Sequence, residues 1–452
     1  MAGRTENFDV VVIGGGPAGV IAAVTARASY PDRSVALVRD LERVLIPCGI
    51  PYILHHLGGK VERDVMPDAP LEKAGVRLIV DRAQSIDRQA GTVQLASGLQ
   101  LKYERLVLAT GSRPVVPPIP GAELGNVFTV SKRPDELQKL VQAAASARRV
   151  LVVGAGFIGM EVADELVQAG KEITLVEMSP QVLPGAFDDD IAAVAARELT
   201  SRGVRILTGR RIERLEGADV VKRAVLDDGT DVDADLAVMA VGYRPNAELA
   251  TAAGLETGPH GALVVDEYMR TSDPRIFAAG DVAGTVSFLT RKPTRIMLAA
   301  TAVSEARVAG MNLFTIRVIR SFRGTIGIFS TVLGNLCFAS AGITEQQARA
   351  ENIAFVVGRA EAPDRHPGSL PGARRIHVKL KVAAASGVVI GAQMYGGAGV
   401  GELINLAGLA IQNAMRADEL MTAQIGTHPR LTSAPTTYPL IKAAEDAWSR
   451  MV

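Results

Sequence analysis

Two glycine-rich loops constrain this chain more than any other feature of its sequence. The first, Gly14-Gly15-Gly16-Pro17-Ala18-Gly19, follows the apolar run Val10 to Ile13. The second, Gly154-Ala155-Gly156-Phe157-Ile158-Gly159, follows Val150 to Val153. Each reads as strand, tight turn and helix start. In that order the backbone can approach a pyrophosphate closely, and the helix N-terminus faces its negative charge. Two such loops predict an α/β enzyme that holds two different dinucleotides and passes electrons between them.

With 452 residues the chain has room for two or three domains. A net charge of +1 gives no reason to expect nucleic acid or an anionic membrane as partner. The sequence has no apolar run of about 18 residues, so no spanning helix is expected. Met1 to Asp9 is polar, which argues against a signal peptide. Two cysteines are too few for a disulfide framework and suggest a reducing, cytoplasmic location. No metal site is expected, because the adjacent pair His55-His56 does not share a helix face.

Residues 1–113 and 247–322 read as one nucleotide domain, with a second, 114–246, inserted into it. A small antiparallel hairpin is expected around Thr92 to Leu95 and Gln100 to Tyr103, then a buried strand from Leu106 to Thr110. The stretch Pro114 to Gly121 reads as a linker, since proline neither donates to a ladder nor continues a helix. A helical pattern from Leu298 to Leu313 closes the first domain. Residues 323–452 read as an α+β domain, with short β-like runs followed by an amphipathic helix from Gly401 to Met415.

In a dinucleotide fold an acidic residue ending the second strand accepts from the adenosine ribose. Glu177 fills that place in the second unit, where a carboxylate favours NADH and repels the 2′-phosphate of NADPH. In the first unit Arg39 stands at the expected position. Asp40, one residue later, is the candidate there, unless the ribose is held otherwise.

Further motifs carry a resemblance. Leu108-Ala109-Thr110-Gly111 is similar to the strand-to-turn motif between paired nucleotide domains. Thr271 to Asp281, ending Phe277-Ala278-Ala279-Gly280-Asp281, is similar to a second FAD fingerprint. Val241-Gly242-Tyr243-Arg244-Pro245-Asn246 is similar to the exit from an NAD domain. Over nearly its whole length the chain resembles the pyridine nucleotide–disulfide oxidoreductase superfamily. That resemblance implies FAD on Gly14, Gly16, Pro17, Gly19, Ala109, Thr110, Gly111 and Gly280, with Asp281 at the flavin ribitol. The helix beginning at Ala299 would point at the flavin pyrimidine. NADH would lie on Gly154, Gly156, Ile158, Gly159 and Gly242. Phe157 would cover the flavin and move aside for nicotinamide, with Glu161 beside it. Residues 323–452 would form a homodimer interface.

The superfamily's two cysteines five positions apart are absent, since Arg43 and Ile53 flank Cys48 at that spacing. The string Ile46-Pro47-Cys48-Gly49-Ile50-Pro51-Tyr52 instead resembles the single-cysteine branch of coenzyme A disulfide reductases, sulfur reductases, NADH oxidases and peroxidases. Pro51 suits a first helical turn, so Cys48 is expected just before a helix N-terminus that favours its thiolate. Cys48 is then the redox thiol for coenzyme A disulfide, persulfide or polysulfide, and Cys337 is structural. His428-Pro429 matches the superfamily's C-terminal motif, which reaches the partner subunit's site, but Ser433 replaces its Glu. His428 and Tyr438 are the candidate proton-transfer groups. No histidine stands between Gly14 and Arg27, which argues against peroxide reduction. Asp188-Asp189-Asp190 and Arg210-Arg211 are expected to be solvated, and no rhodanese-like extension is expected past Val452. An NADH oxidase that cycles Cys48 through sulfenic acid stays open, as do a flavoprotein serving a protein partner and a redox sensor.

Overall fold

A computed structural model describes residues 4–318 and 324–451. The expected boundary between 322 and 323, and the termini Met1 and Val452, lie outside the described residues. Three sheets organise the chain. In the first, Arg77–Val80, Val35–Arg39, Thr5–Ile13 and Gln100–Leu108 run side by side in parallel. Ile276–Ala278 returns from far along the chain to pair with Gln100–Leu108. The strands Val10 to Ile13 and Leu106 to Leu108 are apolar throughout and buried on both faces, as covered parallel sheets require.

The expected hairpin and the expected buried strand are one element. Gln100–Leu108 pairs antiparallel with Thr92–Leu95 at its start and parallel with Thr5–Ile13 along its whole length. Its alternating first half and apolar second half reflect that change of neighbours.

The second sheet orders Arg205–Thr208, Glu172–Glu177, Arg149–Val153, Leu236–Met239 and Val127–Thr129, all parallel. Two crossing segments link it to the first. Ser112–Pro114 and Tyr243–Pro245 pair antiparallel, and Thr110 and Asn246 exchange hydrogen bonds of 2.7 and 2.9 Å.

The third sheet is antiparallel, in the order Phe329–Leu333, Leu336–Gly342, Val389–Gly396, Arg375–Ala383 and Phe355–Pro363. Its core packs against the helices Val400–Gln412 and Pro439–Ser449. The opposite face meets the second sheet's unit. There Asp188 is buried and accepts from Lys381 at 3.0 Å and pairs with Lys379 at 2.8 Å. Asp190 pairs with Lys379 and Arg359. The expectation that the Asp188–Asp190 run is solvated is therefore corrected for both residues. Two lysines of the C-terminal sheet, themselves out of water, need anionic partners, and the run supplies them. Among the described residues no helix is long and apolar enough to cross a membrane.

Candidate active site

Both glycine loops have the backbone form their sequence predicts. Gly14 has φ +121, and a Cβ there would stand 2.0 Å from the Ala109 carbonyl oxygen. Gly154 has φ +99, with Ala240 O at 2.6 Å from such a Cβ. The second glycines differ in kind. Around the Cβ position of Gly16, and of Gly156, there is nothing within 4 Å. Each caps the N-terminus of its helix, Pro17–Ser29 or Phe157–Gln168, with no side-chain cap. The helix ends thus carry unsatisfied N–H groups facing open space, a cradle that fits a pyrophosphate.

Glu177 is buried at the end of its strand. Its two oxygens accept from Ala155 N at 2.7 Å and Ser179 N at 2.8 Å. The carboxylate therefore sits on the second loop itself, and its remaining lone pairs are free for a ribose. In the first unit Arg39 is buried against Gly15 and forms a bidentate pair with Asp68, at 2.5 and 2.7 Å. Asp40 is exposed and pairs with Arg133 at 3.1 Å.

The two FAD-type motifs converge. A Cβ on Gly280 would lie 2.9 Å from the Ala18 side chain, in the first glycine helix. A cavity of about 330 Å³ is lined by Tyr243, Gly280, Asp281 and Leu298, next to Ala299 at the start of the helix Ala299–Met311. Leu298 caps that helix without a side-chain bond, which leaves its N–H groups to a ligand. These residues fit FAD. Asp281 accepts from Ser112 Oγ at 2.6 Å and Lys132 Nζ at 2.8 Å. Lys132 also stands over the Tyr243 ring. Gly242 keeps φ +104 in the return crossing.

Cys48 is a free, exposed thiol that feels the charges of Glu161 from the second glycine helix, Lys132, Asp64 and Asp281. Its surroundings correct the expectation of a helix-stabilised thiolate. Burial pushes the thiol up, the Glu161 charge adds to this, and Lys132 only partly opposes it. The helix after it, Ile50–Leu54, is a single short 3-10 element capped by Gly49. So short a helix carries little dipole, and the nearby carboxyls outweigh it. Glu161, one turn into the second glycine helix, is raised to about 7, chiefly by burial. It accepts from Thr331 Oγ1 at 2.8 Å and, more distantly, from Tyr52 OH at 3.5 Å.

The C-terminal unit thus reaches the site within one chain. Phe329 stacks on Phe157 with ring centroids 4.9 Å apart and planes 6° apart. Phe157 has a defined resting place on that neighbour. Sequence reading missed Phe329, Thr331 and Lys132. Lys132 lies in Ser131-Lys132-Arg133 before a helix-starting proline, which looks like any solvated turn. The other two sit on a strand whose partner helix is about 170 residues away, and no local pattern marks them.

The structure places His428 on an exposed turn of the C-terminal unit. Its Nδ1 accepts from Arg430 N at 3.3 Å. Ser433, at the place of the superfamily's Glu, is buried and donates to Pro363 O at 2.6 Å. It anchors the turn and does not orient the imidazole. Tyr438 is buried in the C-terminal core, and burial pushes its phenol up. Cys337 is half-buried in the strand Leu336–Gly342. Among the described residues no cluster of three or more His, Cys, Asp or Glu side chains is placed to hold a metal.

Residues 8–306 match the family described as pyridine nucleotide-disulphide oxidoreductase. Residues 328–439 match the dimerisation domain of the same family. An NADH oxidase of Methanocaldococcus jannaschii is 31% identical over 451 residues, covering 98% of this chain and 99% of the relative. A CoA-dependent NAD(P)H sulfur oxidoreductase of Pyrococcus furiosus is 31% identical, covering 86% of this chain and 88% of the relative. Among solved structures, an NAD-dependent persulfide reductase from A. fulgidus superposes with a TM-score of 0.90 at 35% identity. That superposition covers 98% of this chain and 83% of the other.

Proposed function

The chain belongs to the pyridine nucleotide-disulphide oxidoreductase family, and from that premise we propose that it is an NADH-dependent reductase of low-molecular-weight disulfides, persulfides or polysulfides. At the coarser level it is an NAD(P)H-dependent flavin oxidoreductase, and its family implies FAD. We assign FAD to residues 1–113 and 247–322, NADH to 114–246, and a homodimer interface to 323–452. The observation that carries the sulfur reading is one exposed free thiol, Cys48, near enough to Glu161 of the second glycine helix and to Asp281 of the FAD-type motif to feel both charges. A coenzyme A-linked substrate is supported by the CoA-dependent sulfur oxidoreductase of Pyrococcus furiosus.

When bound, FAD supplies two-electron carriage from NADH to sulfur. The protein's part is binding, orientation and proton control. The Gly16 and Gly156 cradles hold the two pyrophosphates, and Glu177 selects the unphosphorylated ribose. Cys48 as thiolate attacks the substrate disulfide, forming a mixed disulfide and releasing one thiolate, which takes a proton. Two electrons from NADH then break the mixed disulfide, restore the Cys48 thiolate and free the second thiol. The balance is NADH, one disulfide and one proton consumed, with NAD⁺ and two thiols formed. Glu161, buried and titrating near neutrality, is suited to hold a proton beside this sulfur.

A second reading, an NADH oxidase acting on oxygen, is supported by the relatives of that name. Anaerobic turnover with NADH against coenzyme A disulfide, coenzyme A persulfide and polysulfide, compared with aerobic turnover on oxygen, separates the two. Sulfur turnover at least tenfold below oxygen turnover would reject the reductase reading. Flavin reduction by NADPH as fast as by NADH would reject the role given to Glu177.

A further inference from the structure

A buried carboxyl lies under the Cys48 turn and has no task in the chemistry above. Asp64 ends the short 3-10 helix Val61–Asp64 and is 3% exposed. Its backbone carbonyl accepts from Ile46 N at 2.9 Å, and Met66 N donates to Val44 O at 2.8 Å. Leu45 and Val65 close an antiparallel bridge between the same two segments. The segment leading to Cys48 is thus clamped to Asp64. A Cβ on Gly49 would stand 1.9 Å from Asp64 Oδ1, so the turn rests on the carboxyl, and glycine at 49 is what allows the approach. Asp64 Oδ2 is buried with no hydrogen-bond partner. An oxygen so placed disfavours the charged form, and burial raises the group to about 6.

We propose that Asp64 is a positioning residue for Cys48, one that seats the Cys48–Gly49 turn and whose charge raises the pH at which the thiol becomes a thiolate. The groups facing the thiol come from four elements. Glu161 belongs to the second glycine helix, Lys132 precedes the helix Pro134–Ser146, Asp281 follows the strand Ile276–Ala278, and Asp64 ends its own short helix. After burial itself, Glu161, Asp64 and Asp281 raise the thiol and Lys132 lowers it. Neutral Asp64 removes one of the charges that oppose thiolate formation, and ionised Asp64 adds to their resistance. A thiol that discharges a mixed disulfide as a leaving thiolate is sensitive to that balance. The inference rests on the reductase reading.

The test is site-resolved alkylation of Cys48 by iodoacetamide in the reduced holoenzyme, followed across pH by peptide mass. In Asp64→Asn the midpoint should fall by about one pH unit, since one nearby negative charge is removed at nearly constant shape. Should that chain not fold, Asp64→Ser, also neutral, reads the same midpoint. An unchanged midpoint in a variant with full flavin content overturns the inference. The reductase reading fails separately, by wild-type sulfur turnover at least tenfold below oxygen turnover. That outcome leaves the Cys48 alkylation midpoint readable in wild type and Asp64→Asn, so the two failures are distinguishable.

Discussion

Gly154→Ala and Gly156→Ala make the same chemical change two residues apart and should fail in different ways. At Gly154 the backbone has φ +99, and the new methyl would meet the Ala240 carbonyl oxygen at 2.6 Å. Neither that backbone nor that oxygen can move without disturbing the ends of two paired central strands, Arg149–Val153 and Leu236–Met239. The left-handed conformation alone costs about 1–3 kcal/mol, and the contact adds to it. At Gly156 the backbone has φ −72, ordinary for alanine, and the methyl meets nothing within 4 Å. Stability should therefore change by less than about 0.5 kcal/mol. In the proposed function that open space is where the NADH pyrophosphate would approach the helix N–H groups. Losing one charge-assisted hydrogen bond there costs about 1.5–3 kcal/mol, roughly a 10- to 150-fold rise in Kd for NADH. Thermal unfolding, flavin content and stopped-flow reduction of the flavin against NADH concentration measure the three quantities. A Gly156→Ala protein that binds NADH normally, or that loses FAD instead, refutes the assignment of the second loop.

Cys48→Ser should keep flavin reduction by NADH but lose sulfur turnover by several orders of magnitude, because serine forms no mixed disulfide; anaerobic assays decide this, and full retention sinks the thiol mechanism. Glu161 titrates near 7 in the fold against 4.5 as a free side chain. Its stabilising contribution is complete below about pH 4.5 and fades as pH rises through about 7, so Glu161→Gln should gain on the wild type between pH 5 and pH 8, by at most on the order of 3 kcal/mol. Denaturant titrations at the two pH values check this, and a pH-independent difference contradicts it. Asp188→Ala leaves Lys381, fully buried, without its partner, and should cost about 3–5 kcal/mol; equal stability would show that the network is dispensable. Leu406 and Leu409 are exposed on the helix Val400–Gln412. Leu409→Glu should weaken the proposed homodimer in sedimentation, whereas a wild type that is already an active monomer refutes that interface.

Sequence by itself determined what is local and periodic. The glycine loops, their flanking strands and helices, the return at Thr271 to Asp281 and the single cysteine string all depend on neighbours within about a dozen residues. Backbone conformation at that range follows from residue type, and so the two strand–turn–helix units and their glycine turns were legible. The charge state and surroundings of the site were not. Asp188 looks like a solvated acid until Lys379 and Lys381, from a strand far along the chain, are buried against it. Cys48 looks like a helix-activated thiol until tertiary packing desolvates it and brings Glu161, Asp64 and Asp281 from other elements beside it. Phe329 and Thr331 acquire a role only because the C-terminal sheet packs on the second glycine helix. Desolvation and Coulomb interaction depend on which segments approach in space, and that is decided by packing of the whole chain, not by any window of its sequence.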